Sequence, residues 1–110
     1  MIARIWRGRA EKADADAYQS HVTKTVFPSL KQVAGHRSAW LLRREVDGLV
    51  EFLAVTHWES LDSIRSFAGR DIDKAVVEPE ARAVLAEFDD FASHYEVAFD
   101  SDPRKIDVPA

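Results

Sequence analysis

Two strand-like runs, RSAWLLRREV and LVEFLAVTHWE, flank the dipeptide Asp47-Gly48. A tight hairpin turn that matches strand twist needs positive φ at its centre, and Asp-Gly supplies it. This hairpin is the strongest constraint in the chain. It commits about a fifth of the sequence to two long paired strands, which other elements must cover. The chain has 110 residues, the size of one domain, and 46% of them are hydrophobic, enough for a packed core.

The rest of the sequence supplies the cover. Residues 2–8, IARIWRG, read as a first strand. EKADADAY opens a helix, and Tyr18, Val22, Val26 and Leu30 recur four apart with Phe27 and Val33 beside them. Pro28 predicts a kink or restart, and Gly35 a stop. Ser60 can cap a second helix whose face carries Leu61, Ile64, Phe67 and Ala68, with Gly69 ending it. Pro79 can begin a third, with Ala81, Leu85 and Phe88 on its buried side. FASHYEVAF reads as the last strand. The expected fold is α+β, a ferredoxin-like βαββαβ unit with a four-stranded antiparallel sheet over residues 1–99. Residues 100–110 form a polar C-terminal tail, expected to be extended or mobile.

The strands are apolar on both faces. Val50, Phe52, Ala54 and Trp58 share one parity, and Leu49, Leu53 and Val55 the other. A sheet with one wet face alternates more cleanly. A second copy of the chain is the economical cover, so a homodimer with packed sheets is expected; the alternative is a monomer with apolar strands. The net charge of -4 lacks a basic block, which argues against nucleic acid. With no cysteine, disulfides, thiolate metal sites and a thiol nucleophile are excluded. No run reaches membrane-spanning length and the N-terminus lacks a signal-like apolar stretch, so a soluble, cytoplasmic protein is expected.

The element order, the N-terminal IARIWRGR, the Trp58-Glu59-Ser60 junction and the closing HYEV resemble the antibiotic biosynthesis monooxygenase-like family of dimeric α/β-barrel proteins. The resemblance covers residues 1–99. It implies a pocket in each subunit between sheet and helices. It also implies cofactor-independent oxidation of aromatic substrates, haem degradation, or an unassigned role. The haem-degrading branch uses an Asn on the first strand, a Trp on the second helix and a His after it. Those positions fall here near Trp6 or Arg7, near Phe67, and near Val76 or Val77, and no residue type matches. Valine cannot ligate iron.

Candidate site residues follow. His94 and His57 titrate near neutral pH and are candidate bases or orienters; the alternative is a structural strand histidine. Arg7 can stabilise an anion if it faces inward, and Tyr95 can donate to a phenolic oxygen. Trp6, Trp58, Phe67 and Tyr18 can wall a substrate pocket, or serve as core and interface residues. His21 sits beside the helical stripe at an expected edge position, and His36 is expected to be exposed. No histidine pair has tight metal-ligand spacing, so no metal is expected. Asp71 and Asp73 suit a capped turn inside FAGRDIDKAV, residues 67–76, which is either a connection or a flap over the pocket. The leading expectation is a cofactor-independent monooxygenase acting with O2 on a small aromatic or quinol-like substrate. The alternatives are a non-catalytic dimer that binds a small apolar ligand, an unusual haem-binding relative, and a purely structural dimer.

Overall fold

The computed structural model describes residues 1–102. The polar tail beyond them lies outside the described residues. The elements run β1 (Ile2–Glu11), α1 (Ala15–His21), a wide π-helical turn (Val22–Val26), α2 (Phe27–Leu30), β2 (His36–Val46), β3 (Leu49–Trp58), α3 (Leu61–Ala68), α4 (Pro79–Val84), β4 (Glu87–Phe88) and β5 (Ser93–Glu96). No helix among the described residues is long and apolar enough to cross a membrane.

The sheet order is β2-β3-β1-β4, with β5 also on β1 and every pairing antiparallel. This is the ferredoxin-like arrangement. The fourth lane is shared: β5 pairs with Ile2–Ile5, and the two-residue β4 pairs with Gly8 and Arg9. The hairpin forms as expected, with Asp47 at φ 53° and Gly48 at φ 78°. Pro28 lacks the N–H that would continue the helix ladder, and the helix widens into the π turn just before it. Ser60 caps α3 by accepting from the Ser63 N–H at 3.2 Å.

The third helix differs from its sequence pattern. It ends at Val84, so Leu85 and Phe88 leave it. A helix this short has little stability of its own. The β1 edge beyond β5 still needs hydrogen-bond partners. Ala86 donates to the Arg9 carbonyl at 2.8 Å and Asp89 to that of Arg7 at 3.0 Å. Phe88 then packs toward Trp6, with ring centroids 6.2 Å apart.

Strand parity is settled by the register. Arg4, Trp6, Gly8 and Ala10 pair with Thr56, Ala54, Phe52 and Val50, and this face meets the helices. Its core joins Ala10, Tyr18, Val22, Val50 and Phe52; Leu30, Trp58 and Ile64 form a second cluster. The outer face carries Ile5, Arg7, Arg9, Trp40, Leu42, Leu53, Val55 and Tyr95. Trp40, Leu42 and Tyr95 are about half exposed there, at 47%, 51% and 59%.

Candidate functional site

Between the helix-facing side of the sheet and the helices lies a cleft. Trp6, Tyr18, Phe27 and Phe67 are its aromatic walls, and Val22, Val26, Leu30, Val76, Val77 and Ala81 add apolar surface. Arg4, His21, Thr56 and Glu78 are its polar lining. The cavity volume is about 80 Å³, within a cleft whose empty space, open mouth included, is about 680 Å³.

The strand alternation explains these occupants. Arg4 and Trp6 are two apart on β1, and Ala54 and Thr56 two apart on β3, so all four face the helices. The small Ala54 leaves open space beside Trp6. Trp6 is fixed by an N–H donated to the Asp89 carbonyl at 2.7 Å. Tyr18 is 2% exposed and its ring tilts 55° against Phe52 with centroids 4.8 Å apart; burial pushes its phenol well above the ordinary value.

Arg4 is 5% exposed. Its Nη1 donates to the Ile72 carbonyl and to His94 Nε2, the latter at 2.8 Å, and Nη2 donates to the Lys74 carbonyl at 3.0 Å. A guanidinium only donates, so His94 Nε2 accepts. The His94 proton therefore sits on Nδ1 and goes to Asp73 Oδ1 at 3.1 Å. Burial lowers the His94 pKa and the Arg4 charge adds to this, against the pull of Asp73. FAGRDIDKAV is thus a pinned wall. Arg4 holds two of its carbonyls, Ala75 donates to the Asp90 carbonyl at 2.9 Å, and Ala92 donates to that of Asp73 at 2.7 Å.

His21 closes the other polar corner. Its Nε2 is sealed from solvent without a hydrogen-bond partner and lies 3.6 Å from Glu78 Oε2. His21, Glu78 and Glu80 have ligand-type atoms within 4.8 Å of one another, and this trio has the donor chemistry of a divalent-cation site. Linear spacing hides it, because α1 meets the start of α4 only in the fold.

Of the residues read from the sequence, Trp6, Tyr18 and Phe67 line the cleft. His94 stands behind Arg4, outside the lining. Trp58 is fully buried under Phe67, with centroids 5.7 Å apart, and its N–H goes to Thr56. Arg7, His57 and Tyr95 sit on the outer face, away from the cleft. Arg7 pairs with Asp89 at 3.3 Å and approaches Glu51 at 4.0 Å. His57 bonds Ser38 at 3.0 Å and meets the Trp40 ring at 5.0 Å. His36, expected at the surface, packs edge-on to Trp58 at 5.0 Å because it begins β2 on the helix-facing side. Arg4 was missed in a strand rich in arginine, where only parity separates it from Arg7 and Arg9.

No family model matches the sequence, and no curated protein does. Solved structures do match. A candidate antibiotic biosynthesis monooxygenase from Deinococcus radiodurans is 12% identical with a TM-score of 0.65, covering 93% of this chain and 97% of its own. One from Bacillus cereus is 12% identical with a TM-score of 0.63, covering 93% and 95%. The haem degrader MhuD from Mycobacterium tuberculosis, solved with two haems in its active site, is 20% identical with a TM-score of 0.60, covering 93% and 100%. Of the positions that the haem-degrading resemblance pointed to, Trp6, Phe67, Val76 and Val77 line the cleft and Arg7 does not, and none offers an iron ligand. The chain has the fold of the antibiotic biosynthesis monooxygenase structures.

Proposed function

We propose that the chain is a cofactor-independent monooxygenase that oxidises a small aromatic or quinol-like substrate with O2. The observation that carries this reading is an aromatic-walled cleft lined in part by His21, whose Nε2 has no hydrogen-bond partner and lies 3.6 Å from the Glu78 carboxylate. In such a reaction the substrate supplies the electrons. A base removes a proton from the activated ring carbon. The resulting anion passes an electron to O2, and the radical pair combines to a peroxide at that carbon. The peroxide takes a proton and loses water, leaving a new carbonyl. One oxygen atom ends in product and the other in water.

His21 is the proton acceptor in this reading. A proton taken by Nε2 sits 3.6 Å from Glu78 Oε2 and is available to the peroxide afterwards. Trp6, Tyr18 and Phe67 hold the ring and keep bulk water from the intermediates. His94 with Asp73 is a positioning pair that fixes Arg4. Two copies pack by their outer faces, where Trp40, Leu42, Leu53, Val55 and Tyr95 need cover. The test is turnover of anthrones and hydroquinones by wild type and His21→Gln. A loss of about a hundredfold or more is expected for a missing base. Unchanged turnover in a folded His21→Gln protein would sink the assignment.

A second reading has support from the small volume and apolar lining of the cavity: a dimer that binds a small apolar ligand without chemistry. Binding without oxygen uptake would favour it.

A further inference from the structure

Arg4 has a polar capacity that its protein partners do not exhaust. Two of its nitrogens make three hydrogen bonds, to the carbonyls of Ile72 and Lys74 and to His94. These acceptors are neutral. The nearest carboxylate, Asp73, acts on Arg4 only through its field and is itself bonded to His94. A guanidinium carries five N–H groups, so the Nε proton and one on Nη2 remain. These two nitrogens are neighbours along one edge of the fork, the edge that takes both oxygens of a carboxylate side-on. Arg4 lines the cleft, and the sealed, unpartnered nitrogens among the described residues belong to His21 and His36.

The energetics point the same way. A charge held at 5% exposure against neutral acceptors and the Phe67 ring, 5.8 Å from its carbon, has no carboxylate in hydrogen-bond contact. Burial lowers its pKa, with Asp73 opposing. The other charged group in the lining, Glu78, faces His21. We infer that the cleft takes an aromatic carboxylic acid, whose ring lies between Trp6, Tyr18 and Phe67 and whose carboxylate docks on the Nε–Nη2 edge of Arg4. This rests on the cleft's being the substrate site and narrows the substrate to a ring that carries a permanent anion.

The experiment compares benzoate with benzamide, matched in shape and differing in charge, by calorimetric titration of the full chain. Benzoate is expected to bind about tenfold or more tightly, as a charge-assisted pair in a dry site requires. Arg4→Met is expected to bind both equally, and Arg4→Lys to keep part of the preference, with thermal unfolding reporting whether each variant folds. Equal affinity for the two probes on wild type, no binding of either, or a preference that survives Arg4→Met would overturn the inference. The wild-type comparison needs no variant. A benzoate preference without oxygen uptake on any tested aromatic sinks the oxidation reading and leaves the carboxylate site. Uptake on neutral anthrones without a benzoate preference sinks the carboxylate site alone.

Discussion

Filling the cleft separates a functional void from a packing defect. Ala54 lies on β3 opposite Trp6 and Leu41, on the helix-facing side, and lines the cavity. Ala54→Leu adds three carbons to a space of about 80 Å³. At about 0.8 kcal/mol per buried carbon the upper bound is ~2.4 kcal/mol of stabilisation. Imperfect fit against Trp6 removes part of it, leaving about 1–2 kcal/mol. For a domain of this size that raises the melting temperature by about 5–10 °C. Thermal unfolding reads the stability, and oxygen uptake with an aromatic panel reads the function. A protein that keeps empty space for a ligand gains stability and loses turnover by about tenfold or more when that space is filled. A lower melting temperature would refute the void. A higher one with turnover intact would refute the site.

Further outcomes follow from single residues. Gly35→Ala places a Cβ 2.0 Å from Ser63 Oγ at φ +88°, so strain and clash together destabilise by about 2–4 kcal/mol, read by chemical denaturation. Ser60→Ala removes the α3 cap and costs about 1 kcal/mol in the same assay. His36 and His94 both have pKa values lowered in the fold, chiefly by burial. The unfolded state therefore binds protons first, so stability is full above the unfolded value of about 6.5 and falls as the pH drops from there through the folded values. Melting temperature across pH 7.5 to 5 measures this, and His94→Gln flattens the slope. Trp40→Glu puts a charge on the outer face and is expected to yield monomers in analytical ultracentrifugation, where the wild type is expected to sediment as a dimer.

The fold was legible where local chemistry was strong. Asp47-Gly48, the Ser60 cap, Gly69 and Pro28 each dictate a backbone conformation, and each acts where the sequence placed it. The Leu85–Phe88 stretch was not legible, because its fate depends on open backbone groups of β1 far away in sequence. The site was half legible. Aromatic residues at Trp6, Tyr18 and Phe67 announce a wall through size alone. The polar groups do not, because Arg4, Arg7 and Arg9 look alike until register assigns their faces. His21 and Glu78 meet only through the packing of α1 on α4. His94 read as a base by residue type, but its lone pair is held by Arg4, a contact that no spacing encodes.

Oxygen uptake by haem-free, metal-free protein, followed with ¹⁸O₂ on a panel of anthrones, hydroquinones and their ring-carboxylated forms, tests the central claim most directly. The account predicts uptake of one O2 per product formed, one labelled oxygen in the product, and loss of both with His21→Gln. Uptake no faster than in buffer across the panel, or uptake that begins only once haemin is added, would contradict it.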